Sequence, residues 1–319
     1  MSHIFAIGEL LIDMVGIDHL GLKDGIQFEK KAGGAPANVC AAITRLGGSS
    51  SFLGQVGKDP FGDFLLQTLQ EYKVDTSFVK QEGSTTMAFV GVDTDGERSF
   101  TFLRGSDALY TFDNIDTNKI KANDMIHFGS ATALLEGELK RTYTDLLYYA
   151  KENHIYISFD PNYRDTLITP DILGKYKKDC YHFMKKADLV KLSKEELFLL
   201  TQCNDIESGA RFLNDMGAEV ILVTLGSDGC LLCVKGECEV IKSIHVKQVD
   251  STGAGDAFMG AILYQLSLLD ERKELSYSTW KEIVYFANIV GALTTTQYGA
   301  MEGIPMVEVV QDIMRGERV

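Results

Sequence analysis

Apolar positions along the chain repeat with two periods that alternate from one segment to the next. Short, nearly continuous apolar runs such as DMIHFGS, IYISFDPN, DLVKLS and EVILVTLG are typical of buried strands. The segments between them, such as GELKRTYTDLLYYAKEN and IESGARFLNDMGA, carry apolar residues at helical spacing. This alternation predicts an α/β fold, in which a mostly parallel sheet is covered by helices on both faces.

The N-terminal part follows the same rhythm. HIFAIGELLIDMVG predicts one buried first strand, and SSFLGQVG predicts another. Between them, APANVCAAITRLG predicts a helix that ends at Gly47. The run DPFGDFLLQTLQEYKV predicts a further helix, with Pro60 near its start.

One region departs from this rhythm. Residues 85–105, TTMAFVGVDTDGERSFTFLRG, form two alternating runs joined by DTDGE, which predicts a β-hairpin. Such a hairpin inside a βα chain is either a plain edge hairpin or a lid over a site at the strand ends. The basic residues Arg98 and Arg104 favour the lid. No linker or repeat interrupts the chain, so we expect one domain over residues 1–319.

Composition and charge narrow the functional classes. The 319 residues carry a net charge of -14 and no long basic run, which argues against a nucleic-acid partner. No segment reaches the roughly 18 unbroken apolar residues of a membrane span. The N-terminal segment lacks the basic region and cleavage site of a signal peptide. We therefore expect a cytoplasmic protein with no membrane partner.

Three of the six cysteines lie close together in GCLLCVKGECEV. A zinc site needs a fourth ligand, and only His245 lies nearby. The spacing also fits a strand, a KGE turn and a second strand, an arrangement expected to separate the sulfurs. We therefore expect reduced thiols rather than a metal site.

The stretch VDSTGAGDAF, residues 249–258, carries the clearest chemical signal. The residues after Gly255 have helical spacing, so TGAG is a loop that leads into a helix N-terminus. Unpaired N–H groups and the positive end of the helix dipole meet there, and Gly253 and Gly255 leave the backbone open. This arrangement predicts an anion hole for a phosphoryl group.

Asp256 faces the same anion and needs its own explanation. One interpretation is an acidic residue that favours the helix dipole. The other is a carboxylate that orients an attacking hydroxyl and takes its proton in phosphoryl transfer. We expect the dipole to keep Asp256 ionised and weakly basic, which a loose transition state tolerates because the hydroxyl loses its proton late.

Several motifs together resemble one family. DSTGAGDAF and GGAPANVCAAITRLG resemble the two signatures of the ribokinase-type carbohydrate kinases, the PfkB family. GELLIDM, DPNYR, VKLSKEE and VTLGSDG follow the family's order, so the resemblance covers essentially the whole chain. It implies a ribokinase-like α/β domain with a small β-sheet lid built from segments near residues 13–34 and 85–105. It also implies ATP-dependent phosphorylation of a sugar hydroxyl.

The resemblance also implies roles for individual residues. Catalysis would use Asp256 as the base and the anion hole of Gly253, Ala254 and Gly255. Sugar binding would use Asp13, at the end of the predicted first strand, together with Gly33, Gly34, Asn38, Arg98, Phe100 and Arg164. Nucleotide binding would use Lys191, Thr224, Gly226, Gly229, Asn288 and Gly299. A monovalent cation, with K⁺ as one candidate, would lie at Asp250 and the Thr252 carbonyl, as in many relatives.

The metal motif departs from the family pattern. Where many members have Asn-x-x-Glu, this chain has SKEE, with Ser193 in place of Asn and Glu196 retained. Serine is a shorter and weaker ligand. We expect Glu196 to hold Mg²⁺ through water, without direct participation of Ser193.

The leading substrate hypothesis is D-fructose, because GGAPAN and DPNYR resemble fructokinases more than ribokinases. Alternatives within the family are 2-keto-3-deoxygluconate kinase, ribokinase and aminoimidazole riboside kinase. A dinucleotide-dependent oxidoreductase is disfavoured, because no G-x-G-x-x-G follows the first strand. A non-catalytic nucleotide- or sugar-binding protein could dispense with Asp256, which is present. The resemblance also allows a homodimer that pairs through the lid.

Overall fold

The main sheet runs through the centre of the molecule and sets the position of every site residue. The computed structural model describes residues 1–94, 98–272 and 274–317, except for the side chains of Val92 and Arg98. Within these ranges the sheet has nine strands in the order β13-β12-β11-β10-β9-β8-β1-β4-β5. The strands are β1 Ile4–Ile7, β4 Ser50–Val56, β5 Val79–Gln81, β8 Met125–Phe128, β9 Tyr156–Phe159, β10 Leu189–Ser193, β11 Val220–Thr224, β12 Cys230–Val234 and β13 Glu237–Ile241.

The pairing from β5 to β11 is parallel throughout, and only β12 and β13 are antiparallel. The predicted mostly parallel sheet is therefore confirmed. The parallel strands are buried almost along their full length, as their continuous apolar sequences require. Their carboxyl ends lie at one edge of the sheet, which is where ligands bind in open α/β folds.

A separate small sheet has four strands in the order β3-β2-β6-β7. These are β2 Leu11–Gly16, β3 Phe28–Gly33, β6 Met87–Val92 and β7 Arg98–Leu103. The β6–β7 pair is antiparallel, as the predicted hairpin requires. Its turn, at residues 95–97, lies outside the described residues. We call this unit the small sheet.

Ten helices appear in the described ranges. They are α1 Gly21–Asp24, α2 Ala35–Arg45, α3 Pro60–Glu71, α4 Glu138–Glu152, α5 Pro170–Met184, α6 Lys194–Thr201, α7 Ile206–Asp215, α8 Ala254–Ser267, α9 Tyr277–Thr294 and α10 Val307–Met314. None of these helices has the length and apolar character that a bilayer crossing requires.

Two apolar cores cover the two faces of the main sheet. One contains Val39 of α2, Ile262 of α8 and Val284 of α9. The other contains Tyr143 of α4 and its counterparts from α5 and α7. Helices therefore cover both faces, as the alternating pattern predicts.

The predicted single first strand is wrong, because it divides into β1 and β2. The two strands belong to different sheets, and the chain passes between them at Gly8, Glu9 and Leu10. The run looks continuous in sequence because Glu9 is its one charged interruption before Asp13, and Glu9 is itself buried. The Glu9 carboxylate accepts hydrogen bonds from Ala35 N at 3.2 Å and from the Ser130 hydroxyl, so burial does not leave it unpaired.

The expectation of reduced thiols in the cysteine cluster is also wrong for two of its three members. Cys233 and Cys238 form a disulfide between β12 and β13. The two residues are directly opposed in the antiparallel register, and opposed side chains lie on the same face of a sheet. The hairpin therefore brings the two sulfurs together instead of separating them. Cys40, Cys180 and Cys230 are free and buried.

Candidate active site

The first turn of α8 lies in the cleft at the carboxyl ends of the parallel strands. Gly253 is the N-cap residue of α8, with a φ of 74°, and Asp256 lies in the first turn, as the sequence predicts. Asn38 reaches this turn from α2, and its Nδ2 donates a hydrogen bond to Asp256 Oδ2 at 2.8 Å. The structure thus joins a residue predicted to bind sugar to the predicted base.

Burial raises the pKa of Asp256 to about 6, and the nearby Asp160 adds to the rise. The hydrogen bond from Asn38 and the charge of Lys191 oppose it. Burial therefore makes this carboxylate more basic than the helix dipole alone suggests, although a group with a pKa of about 6 is still mostly ionised at neutral pH. A carboxylate with a pKa near 6 is a better proton acceptor than an ordinary aspartate.

Asp13 does not end a strand, as the sequence predicted, but lies in the middle of β2 in the small sheet. There it pairs with Lys31 of β3 and faces Gly33, where an added Cβ would meet Asp13 Oδ2 at 2.1 Å. Glycine at position 33 is therefore required by the close approach of this carboxylate. Burial raises the pKa of Asp13 to about 6, with a further contribution from Glu9.

Arg164 connects the two carboxylates electrostatically. Its positive charge lowers the pKa of both Asp13 and Asp256, which places it on the cleft between them. Its Nη1 donates to the Tyr163 carbonyl at 3.0 Å, and the side chain is exposed. This position suits a contact with an anionic group in the cleft.

Lys191, in the middle of β10, places its ammonium group beside the predicted anion hole. Its Nζ donates to Asp160 Oδ2 at 2.8 Å, and both side chains are buried. An added Cβ on Gly255 would come within 3.1 Å of this Nζ, so glycine at position 255 leaves the ammonium room beside the loop. Burial alone would lower the pKa of Lys191, but the carboxylates of Asp160, Glu196 and Asp256 together outweigh burial and raise the pKa.

Ser193 and Glu196 form a capping box at the start of α6. The Ser193 hydroxyl accepts from Glu196 N at 3.1 Å, and Glu196 Oε2 accepts from Ser193 N at 2.6 Å. Glu196 Oε1 accepts from Tyr163 N at 2.7 Å. The Ser-x-x-Glu signature of a capping box is visible in SKEE, and sequence reasoning missed it.

The hydrogen bonds of Glu196 determine how this residue could hold a magnesium ion. Both oxygens of Glu196 already accept one backbone N–H, and each keeps a lone pair that can accept from a metal-bound water. The residues therefore fit a hydrated Mg²⁺ held through water. In the described ranges no group of three or more His, Cys, Asp or Glu side chains could form a direct cage.

A cavity of about 240 Å³ opens beside the anion hole. Four of the residues predicted to bind nucleotide line it, namely Thr224, Gly226, Gly229 and Asn288. Ala254 and Gly255 of the anion hole also line it, so the cavity and the cup of backbone amides are continuous. Asn288 Nδ2 donates to the Ile241 carbonyl at 2.8 Å and so fixes the end of β13 beside the cavity.

The predicted cation residues lie together at the start of the same loop. Asp250 Oδ1 accepts from the Thr252 amide at 3.0 Å and from the Thr252 hydroxyl at 2.7 Å. Asp250 Oδ2 accepts from Gly299 N at 3.1 Å. The C-terminal loop is thereby joined to the loop that precedes α8.

Two of the residues predicted to bind sugar, Arg98 and Phe100, belong to strand β7 of the small sheet. Phe100 is on the edge strand β7, separated from β2 by β6, and 47% of its surface is exposed. The Arg98 side chain lies outside the described residues. Gly34 is the N-cap residue of α2, next to Gly33, where the small sheet passes into that helix.

Sequence reasoning missed two features of this site. Asp160 was part of the DPNYR motif but received no role, although its carboxylate holds Lys191. The segment of residues 243–248 forms one wall of the cavity and includes His245. Its only signal in the sequence is an irregular pattern between the hairpin and TGAG, which does not indicate a wall.

Comparisons with known proteins identify the family of this chain. A model of the pfkB family carbohydrate kinases matches residues 1–306. Probable fructokinase-4 of Arabidopsis thaliana is 35% identical over 99% of this chain and 97% of its own. Fructokinase-1 of Zea mays is 36% identical over 95% of this chain and 94% of its own. The crystal structure of fructokinase from Vibrio cholerae O395 with fructose, ADP and calcium ion superposes with a TM-score of 0.87, at 34% identity and 98% coverage of both chains.

Likeness of this extent defines a carbohydrate kinase, a phosphotransferase that acts on an alcohol group. The chain belongs to the PfkB family of carbohydrate kinases. The predictions of a ribokinase-like fold and of sugar kinase activity are confirmed.

Proposed function

We propose that the protein is a fructokinase, which transfers the γ-phosphoryl group of ATP to D-fructose and yields fructose 6-phosphate and ADP. The fructokinases of similar sequence and the fructose-bound structure support this substrate. The observation that carries the mechanism is the position of Asp256, a carboxylate of raised pKa at an open helix N-terminus.

In the proposed reaction, Asp256 orients the 6-hydroxyl of fructose and accepts its proton as the O–P bond forms. The bond between the γ-phosphorus and the bridging oxygen breaks, and ADP leaves. Gly253, Ala254 and Gly255 present backbone N–H groups to the phosphoryl oxygens, whose charge is greatest during transfer. A carboxylate beside a phosphate anion is unfavourable because the two negative charges repel each other. The position of Asp256 is therefore best explained by its use in the reaction.

Sugar binding falls to the cleft between the small sheet and the main sheet. Asp13 offers two acceptor oxygens to neighbouring sugar hydroxyls, and Gly33 and Gly34 let the backbone approach the sugar. Asn38 supplies an amide beside the reacting hydroxyl. We retain Arg98 and Phe100 as contacts from the small sheet, and Arg164 as a contact for the phosphates or the sugar.

Nucleotide binding falls to the cavity beside the anion hole. Thr224, Gly226 and Gly229 form the turn for phosphates and ribose, while Asn288 and Gly299 border the adenine side. Lys191 contacts the phosphates through its ammonium group. Mg²⁺, held through water by Glu196, would screen the phosphate charge when bound. Asp250 and Thr252 would hold K⁺ next to the anion hole.

The test is an ADP-release assay with D-fructose, ribose, 2-keto-3-deoxygluconate and aminoimidazole riboside as acceptors. We expect kcat/KM to be highest for fructose, with fructose 6-phosphate as the product identified by NMR. A clear preference for another acceptor would overturn the fructose assignment while leaving the kinase class intact.

We also propose a homodimer that pairs through the small sheet, and action in the cytoplasm where ATP is available. Support for the dimer comes from the outer strand β7, where Phe100 and Leu103 are 47% and 55% exposed. An outer strand with exposed apolar side chains is open to pairing with the outer strand of a second copy of the chain. Light scattering on the purified protein should give twice the chain mass, and Leu103→Glu should return it to the monomer mass.

A further inference from the structure

The buried pair of Lys191 and Asp160 has a geometry that goes beyond charge neutralisation. Lys191 Nζ lies 2.8 Å from Asp160 Oδ2, and the two side chains are 9% and 3% exposed. A lysine has a long, flexible side chain with many rotamers. A single buried hydrogen bond to a carboxylate selects one of them.

The selected position is next to the glycine loop of the predicted anion hole. The ammonium lies 3.1 Å from the point where a Cβ of residue 255 would stand, immediately beside the anion hole. Its charge also acts on the Asp256 carboxylate. Lys191 is therefore close both to the predicted base and to the glycine loop of the predicted anion hole.

Asp160 is itself held on several sides. Its backbone N–H donates to the Phe128 carbonyl at 2.9 Å, and its Oδ1 accepts from Asn162 N at 3.0 Å. Asn162 Nδ2 in turn donates to the Gly129 carbonyl at 2.8 Å. Asp160, which directly follows β9, is thus fixed by the end of the neighbouring strand β8, and its carboxylate is a rigid anchor for a flexible lysine.

Lys191 needs an anchor because other carboxylates compete with Asp160 for its ammonium group. The Asp256 and Glu196 carboxylates also act on the charge of Lys191. In a buried site an unanchored ammonium would move toward either of them, because an unpaired buried charge is costly. A direct ion pair with Asp256 would stabilise the ionised base and reduce its ability to take a proton.

We propose that Asp160 is a positioning residue, which holds the Lys191 ammonium at the anion hole and out of a direct ion pair with Asp256. This inference rests on the proposed phosphoryl transfer but not on the identity of the sugar. Asp160 acts only through Lys191, so its effect on turnover requires that lysine to be present.

A double-mutant cycle measures this dependence. We expect Asp160→Asn to lower kcat about 30-fold, and Lys191→Met to lower it by at least as much. In the Lys191→Met background, Asp160→Asn should change kcat by less than about 3-fold. Asp124→Asn, a buried carboxylate at the opposite edge of the sheet, is the matched control and should keep the wild-type kcat. Additive losses in the double variant would overturn the proposal.

Two further measurements keep the test decisive. Should Asp160→Asn fail to fold by circular dichroism, Asp160→Glu retains the charge but displaces the carboxylate, and we expect a lowered kcat there as well. An unchanged kcat in Asp160→Glu would overturn the proposal.

Equilibrium binding tests the same inference without turnover. By calorimetry, Lys191→Met and Asp160→Asn should each weaken binding of a non-hydrolysable ATP analogue about 10-fold more than binding of ADP, since only the former carries a γ-phosphate. Absence of turnover with every sugar would defeat the proposed function alone. An unchanged ratio of the two affinities would defeat the role of Asp160.

Discussion

Asn38 and Asp256 lie 218 positions apart in sequence and are joined by a hydrogen bond of 2.8 Å between Nδ2 and Oδ2. The contact exists because α2 and α8 pack closely, so that an added Cβ on Gly260 would meet the Ala42 Cβ at 2.5 Å. The N-terminal turns of both helices thus face the same cleft. Asn38 Oδ1 is buried and has no hydrogen-bond partner among the described residues.

Replacement of the base is the first prediction. Asp256→Asn should lower kcat about 1,000-fold, because an amide cannot accept the hydroxyl proton. ATP affinity measured by calorimetry should stay within about 3-fold of wild type, since the backbone amides of the anion hole are unchanged. The exposed Asp145→Asn, on α4, serves as control. Turnover near the wild-type rate in Asp256→Asn would show that this carboxylate is not the base.

The pH profile gives the second prediction. A base with a pKa of about 6 must be ionised to act, so kcat/KM should fall as the pH drops through about 6. Asn38→Ala removes a hydrogen bond that lowers the pKa of Asp256, so the fall should move to higher pH. Initial rates from pH 5 to pH 9 measure both, with the exposed Asn118→Ala as control. A midpoint unmoved by Asn38→Ala would contradict this coupling.

Local sequence patterns predicted the sheet, most helices and the anion-hole loop, because these features depend on residues that are close together in the sequence. The continuous apolar run before Asp13 misled the strand assignment, since the passage between the sheets is itself buried, including Glu9. Cys233 and Cys238 come together because of the register of the β12–β13 hairpin. The spacing of the cysteines in the sequence did not determine that register.

The chemistry of the site was less predictable than its location. The dipole at the start of α8 is a local property, but the burial that raises the pKa of Asp256 comes from elements distant in sequence. The Asp160–Lys191 pair likewise joins two separate strands. Ser193 shows the converse: its capping partner Glu196 is only three residues away, so the signal was present and was interpreted as a metal motif.

The third prediction separates these two interpretations of Ser193. Ser193→Ala should lower the free energy of unfolding by about 1 kcal/mol, the usual cost of a lost N-cap. The Mg²⁺ concentration at half-maximal rate should not change. Ser276→Ala removes the equivalent cap of α9 and is the matched control for stability. A raised Mg²⁺ requirement in Ser193→Ala would show that the hydroxyl takes part in metal binding.

Glu196→Gln, unlike Ser193→Ala, should change the Mg²⁺ dependence of the rate. The amide has no negative charge and only one acceptor oxygen, so it holds metal-bound water less strongly, and the Mg²⁺ concentration at half-maximal rate should rise about 10-fold. Rates measured against Mg²⁺ at saturating ATP and sugar provide the comparison with Ser193→Ala. An unchanged Mg²⁺ dependence would limit Glu196 to capping α6.

Asp13 allows a prediction that links binding to stability. Its folded pKa of about 6 lies above that of an ordinary aspartate, so the folded state favours the protonated form and loses stability as the pH rises from about 4 toward 6. Asp13→Asn mimics the protonated form. We therefore expect its midpoint of thermal unfolding to exceed that of wild type at pH 8, and the difference to shrink at pH 4.5.

The same substitution should weaken sugar binding, because the amide replaces one of two acceptor oxygens with a donor. The KM for fructose should rise about 100-fold, while the KM for ATP stays unchanged, as expected for a residue of the small sheet that does not line the nucleotide cavity. A higher midpoint at pH 8 combined with a raised KM would mark a carboxylate retained for binding at the expense of stability. A lower midpoint at pH 8 would show instead that the ionised carboxylate stabilises the fold, and would contradict the raised pKa.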